Sequence, residues 1–164
     1  MTYLITFCCY GAHVVGDEPG AVDRTHNLPG SPLVEPNPRR AAAIRMSMTE
    51  PPYLLDEDRR KTVLAAICEA CAFRGWFLAV AHVRTNHVHV VVDAPVKPET
   101  VMGTLKARSS RLLGEVGLDP PGRRHWSRHG STRYLWDRDQ VTRAVAYVAE
   151  GQGDPMALFV HPEK

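Results

Sequence analysis

Hydrophobic and polar positions along the chain fall into short strand-like runs separated by longer stretches of helical spacing. Residues Tyr3 to Tyr10 are mostly apolar and rich in β-formers, which predicts a first strand. From Gly11 to Pro52 the pattern dissolves. This stretch holds seven of the 13 prolines and the turn sequences Asp17-Glu18-Pro19-Gly20 and Asn27-Leu28-Pro29-Gly30. It predicts a long loop with one short helix near Arg40 to Met48, and loops this long in small domains are usually functional or mobile. Val63, Leu64, Ile67, Cys68 and Cys71 then recur at spacings of three and four, the stripe of a helix facing a core. Asp56 is its N-cap, Glu57 and Asp58 complement the dipole in its first turn, and Gly75 stops it. Trp76 to Val83 and His87 to Val92 predict two strands, and Arg84-Thr85-Asn86 turns the chain between them into an antiparallel hairpin. Pro95 and Pro98 mark the exit, and Glu99 to about Gly114 is helical. Leu118 to Gly130 is a loop, and Ser131 to Trp136 predicts a last strand. Asp137 caps a final helix with Val141, Ala144, Val145 and Val148 as its apolar stripe, ending near Gly151. The tail from Asp154 to Lys164 carries no pattern.

The order strand, helix, strand, strand, helix, strand, helix predicts an α/β (α+β) fold: a ferredoxin-like βαββαβ sandwich with an antiparallel sheet plus a C-terminal helix. The 164 residues suit one domain, expected over residues 1–153 with a loop insertion at 11–52 and a tail at 154–164. No apolar run approaches the roughly 20 residues of a membrane helix. The N-terminus has no basic, apolar and small-residue succession of a secretion signal, so the expected location is cytoplasmic.

Charge refines this picture. The net charge is only +2, yet Met102 to Arg143 holds nine Lys or Arg against four Asp or Glu, a local +5, and the remainder sums to −3. A basic segment on a near-neutral chain points to a polyanion partner on one face, or to a clustered solvated surface. Cys68-x-x-Cys71 lies in a helical pattern, and the other two cysteines, Cys8 and Cys9, are vicinal in a strand. Buried free thiols are therefore expected rather than a zinc or redox site.

The chemistry begins at His87-Val88-His89-Val90-Val91-Val92. Strand side chains alternate, so His87, His89 and Val91 share one face and the other three valines share the opposite one. The valines suit packing beneath two helices, and two imidazoles at i and i+2 can converge on one metal ion. Taken alone, such a pair is more often just two partly exposed histidines.

Thr85-Asn86-His87-Val88-His89-Val90-Val91-Val92 closely resembles the histidine–hydrophobe–histidine motif of the HUH endonucleases. The resemblance is to their single-tyrosine branch, the transposases of small single-strand insertion sequences and the REP-associated tyrosine transposases. It covers nearly the whole chain: opening strand, His-x-His strand, Trp126-Ser127-Arg128 with Ser131-Thr132-Arg133, and a closing helix with Tyr147-Val148. It implies a metal-dependent single-strand DNA endonuclease and strand transferase with Tyr147 as nucleophile, giving a 5′-phosphotyrosine and a free 3′-hydroxyl. A divalent ion, Mg²⁺ or Mn²⁺, would sit on His87 and His89. Family members take a third ligand, an amide or carboxyl, about one turn after the tyrosine. Here position 151 is glycine, flanked by Glu150 and Gln152, and a carboxylate suits such an ion, so Glu150 is favoured over Gln152. The packing alternative for Tyr147 is a tyrosine at the edge of the helix stripe, one turn from Arg143 and Gly151.

The implied partner is single-stranded DNA with hairpin repeats. Expected DNA contacts are Lys106, Arg108 and Arg111 on one helix, Arg123, Arg124, Arg128 and Arg133 around the last strand, and Arg143 near the tyrosine, with Trp126 or His125 stacking on an unpaired base. Insertion-sequence members dimerise and can share the tyrosine helix between copies, whereas REP-associated members can act as monomers. Alternatives are a non-mobile, host-serving relative that nicks or only binds hairpin repeats, and a phosphohydrolase using water at the two histidines.

Overall fold

The computed structural model describes residues 1–12 and 37–162. Within them run β1 (Thr2–Cys8), α1 (Pro38–Ser47), α2 (Glu57–Arg74), β2 (Phe77–Val83), β3 (His87–Asp93), α3 (Pro98–Glu115), β4 (Ser131–Leu135), α4 (Arg138–Glu150) and β5 (Ala157–Val160). Residues 13–36 of the expected long loop lie outside the described residues. The short helix expected near Arg40 is α1, capped by the Asn37 side chain.

Local chemistry explains the helix ends. The Asp56 and Asp137 carboxylates accept from the backbone amides of Arg59 and Gln140, at 2.9 and 2.8 Å. Each satisfies an amide that the first helical turn leaves without a partner. Gly75 closes α2 in the left-handed conformation, φ 69°, which costs a residue with a Cβ more than it costs glycine. Pro98 starts α3, where a missing amide hydrogen is harmless.

The five strands form one antiparallel sheet in the order β4-β1-β3-β2-β5. Its first four strands have the order of the expected ferredoxin-like fold. The structure adds β5, which pairs with the far edge of β2 and lies in the segment whose sequence showed no pattern. Four residues, Ala157-Leu158-Phe159-Val160, are too few to display a period.

The sheet is covered on both faces. Ile5, Phe7, Val88, Val90 and Val92 pack with Val63, Ile67, Leu105 and Leu113 beneath α2 and α3. Val88, Val90 and Val92 are fully buried, each contributing about 1.5–3 kcal/mol by leaving water. On the opposite face Leu4, Val80, Val91 and Leu135 pack against Ala144, Val145 and Val148 of α4. The register of β2 shifts between Leu78 and Val80. Leu78 belongs to the α2–α3 core, whereas Val80 belongs to the α4 core. The irregularity thus changes which β2 residues face α4. All four cysteines are free thiols, as expected, and burial pushes Cys9 and Cys71 up to about 12. Among the described residues, no helix is long and apolar enough to cross a membrane.

Candidate active site

The strand alternation that buries Val88 and Val90 under α2 and α3 turns His87 and His89 toward α4. Their rings lie edge to face, 4.8 Å between centroids. Tyr147, on the last turn of α4, has its ring centroid 5.8 Å from that of His89. Its neighbour Val148 anchors the helix in the core, while the tyrosine itself is half exposed. Two metal-capable imidazoles and one accessible phenol thus share a face of the sheet.

Both imidazoles are oriented through Nδ1. His87 Nδ1 is 2.7 Å from Asn86 Oδ1. That oxygen can only accept, so Nδ1 carries the proton and Nε2 the lone pair. His89 Nδ1 lies 2.8 Å from the Thr6 hydroxyl, and Thr6 is the direct partner of His89 across the β1–β3 ladder. Oxygen partners on the far nitrogen are how proteins fix the ring and raise the basicity of a metal-ligating histidine. Burial, with the nearby His87 adding to it, pushes the His89 pKa down to about 4. His89 is therefore neutral at physiological pH and has a lone pair for a cation. Sequence reasoning missed Thr6 and Asn86. A hydroxyl inside the otherwise apolar Tyr3–Cys9 run was the available signal for Thr6.

The two candidate third ligands are placed differently. Glu150 is exposed on the last residue of α4. Gln152 folds back: its side-chain nitrogen donates to the Tyr147 carbonyl at 3.3 Å, and its side chain lies close enough to His89 to act on its pKa. Gly151 permits that return. A Cβ there would lie 2.8 Å from the Tyr147 carbonyl oxygen. Among the described residues, no three His, Cys, Asp or Glu side chains cluster in a metal-binding arrangement.

The basic residues differ in how far the fold engages them. Lys106 is committed to structure: its ammonium donates to the Ser127 and His129 carbonyls at 3.0 and 2.9 Å, and burial lowers its pKa. Arg108 pairs with Glu69 and Glu115. Arg123 pairs with Glu50, donates to the Pro51 carbonyl and covers the Tyr53 ring. Arg124 lies over Tyr10. The Trp126 indole donates to the Lys106 carbonyl and Ser110 hydroxyl and meets Phe7 edge-on. His125 is buried between Ser110 and Asp119. Arg111, Arg128, Arg133 and Arg143 are exposed. Arg111 lines a groove between α2 and α3, on the face away from the histidines. Arg143 lies one helical turn before Tyr147, and Arg133, opposite Leu4, is on the α4 side of β4.

Sequence and structure comparisons bear on this arrangement. A sequence search of characterised proteins finds no match. Among solved structures, the chain resembles a REP-associated tyrosine transposase bound to a REP hairpin, with TM-score 0.50 and 10% identity over 92% of this chain. The chain spans 65% of the length of that protein. A transposase structure from Deinococcus radiodurans R1 aligns at TM-score 0.46 and 14% identity, over 88% of each chain. Residues 49–138, more than half of the chain and inclusive of both histidines, match the sequence model of the IS200-like transposases. By that match, the chain belongs to the IS200-like transposase family.

Proposed function

We propose that this transposase-family chain is a metal-dependent single-strand DNA endonuclease and strand transferase, with Tyr147 as nucleophile. The observation that carries this proposal is the convergence of His87, His89, Gln152 and Tyr147 on one face of the sheet. The residues fit a divalent cation: two oriented imidazoles, one of them held neutral by burial, beside a carboxamide whose oxygen can ligate. His87, His89 and Gln152 would hold the ion, and Gln152 replaces Glu150 as the favoured third ligand. Two nitrogen donors suit Mn²⁺ better than Mg²⁺, which prefers oxygen. When bound, the ion would polarise the scissile phosphate and stabilise charge on the leaving oxygen.

The chain's own part is nucleophilic. The Tyr147 oxygen attacks the phosphorus and gives up its proton. The bond from phosphorus to the 3′-oxygen breaks, and that oxygen leaves as a protonated 3′-hydroxyl. The 5′-phosphotyrosine keeps the energy of the phosphodiester, so attack by a second 3′-hydroxyl reverses the step without ATP. Exposed Arg128, Arg133 and Arg143 would neutralise DNA phosphates, and a similar protein binds a REP hairpin, which supports hairpin-containing single strands as the substrate class.

The test is incubation with single-stranded hairpin DNA from the flanks of the gene and Mn²⁺. A covalent protein–DNA band is expected, lost with chelator, with His87→Ala and with Tyr147→Phe. Cleavage by Tyr147→Phe would instead assign water as the nucleophile. Hairpin binding without cleavage under either metal would identify a DNA-binding relative.

A further inference from the structure

His82 is a fully buried histidine in β2, a strand otherwise made of apolar residues. It is paired across the ladder with His89, on the side opposite Thr6, so Thr6, His89 and His82 form one row over β1, β3 and β2. Its ring is bound at both ends. Nδ1 lies 2.9 Å from the carbonyl oxygen of Val148, and the backbone amide of Met156 donates to Nε2 at 3.0 Å. An amide hydrogen on Nε2 requires the lone pair there, so the proton is on Nδ1 and points at Val148. Burial lowers the His82 pKa, in keeping with the neutral form that this geometry requires. Arg84 reinforces the same end, with a guanidinium nitrogen 3.5 Å from Nε2 and a bond to the Asp154 carbonyl.

The two backbone groups that His82 joins are not arbitrary. Val148 follows Tyr147, and its carbonyl is in the last turn of α4, where carbonyls run out of helical amides to accept. Met156 immediately precedes β5. A side chain from the sheet thus caps the very turn that carries the tyrosine, and fastens the returning chain to the same ring. The register shift at Leu78/Val80 lies just before it, at the point where Val80 joins the α4 core.

We infer that His82 is a positioning residue for the reaction: a two-ended clamp that fixes the Tyr147 turn of α4 over His89. In this role it acts through the Val148 carbonyl. The inference rests on Tyr147 being the nucleophile.

The test compares wild type, His82→Leu and His82→Asn in three measurements: covalent adduct formation at saturating DNA, hairpin affinity, and amide hydrogen exchange over residues 147–156. Asparagine places an amide hydrogen where Nδ1–H stood, and leucine places none. A misplacement near 1 Å costs about a hundredfold in rate, so His82→Leu should lose adduct rate on that scale with hairpin affinity unchanged. His82→Asn should recover most of the rate, and exchange at Gly151 and Gln152 should quicken in His82→Leu alone. Equal rates in wild type and His82→Leu, or no rescue by His82→Asn, would overturn the clamp. If wild type itself forms no adduct, the nucleophile assignment fails on its own. Exchange then decides the clamp: unchanged protection of 147–156 in His82→Leu refutes it, and selective loss there upholds it.

Discussion

Replacing Thr6 by valine removes one hydroxyl and almost no volume, which isolates the bond that orients His89. That bond is 2.8 Å long, and His89 is 6% exposed, so water cannot take the place of the lost oxygen. A buried hydrogen-bonding nitrogen left without a partner costs about 1–3 kcal/mol. At about 1.4 kcal/mol per factor of ten, this corresponds to roughly 5- to 150-fold in an equilibrium constant. Loss of an outer partner of a metal-ligating histidine typically weakens the metal by about 10- to 100-fold, which agrees with that range. Calorimetric titration of Thr6→Val with Mn²⁺ should therefore show at least a tenfold weaker Kd, and urea unfolding should show the apo protein destabilised by about 1–3 kcal/mol. Thr104→Val is the control, because its hydroxyl bonds only the Thr100 carbonyl within α3 and lies far from the histidines. Unchanged Mn²⁺ affinity in Thr6→Val, with the ring still buried, would refute the claim that Thr6 sets up His89 as a ligand.

Three further outcomes are expected. Gln152→Ala should weaken Mn²⁺ binding about tenfold or more while Glu150→Ala leaves it within about twofold, because the Gln152 side chain lies beside His89 whereas Glu150 is exposed at the end of α4; the reverse order, by the same titration, would restore Glu150 as ligand. Gly151→Ala should slow adduct formation about tenfold with little loss of stability, since its Cβ would press on the Tyr147 carbonyl that Gln152 holds; unaltered single-turnover rates would contradict this. Stability should fall with acid in two stages. Burial holds the His125 pKa down, despite its bond to Asp119, so below about pH 6.5 the unfolded chain takes up a proton that the folded chain refuses. Burial alone would raise Asp119, but its hydrogen bonds to Tyr53, Arg59 and His125 outweigh this and hold it below the usual carboxylate range. Its stabilisation is therefore complete above about pH 4 and is lost as the pH falls through its folded pKa. A urea midpoint that stays flat from pH 7 to pH 3 would refute both assignments.

Much of this was legible in the sequence because it depends on period and on local caps. Alternation in His87–Val92 gave both the buried valines and the shared face of the histidines. Asp56, Gly75 and Asp137 marked helix ends through chemistry confined to a few neighbouring residues. What escaped was set by pairing across the sheet. Thr6 and His82 meet His89 only through strand register, and a register shift governs the face of β2. The partners of the basic residues were hidden for a related reason. The linear count shows Lys106, Arg108 and Arg123 only as cations, whereas folding gives each a carbonyl or carboxylate partner. Linear charge density does not reveal which arginines the protein has already used.

The short strand β5 has a consequence for how far the tyrosine can travel. The chain leaves α4 after Glu150 and rejoins the sheet at Ala157, with six residues between them. The seven steps from Glu150 to Ala157 reach no more than about 25 Å even when fully extended. At its other end the helix begins almost directly after β4, so it is tethered front and back to one sheet. A DNA end attached to Tyr147 would be on a short leash. In a copy whose tyrosine serves its own sheet, that end would wait above the histidines, and the strand that joins to it would have to be delivered there.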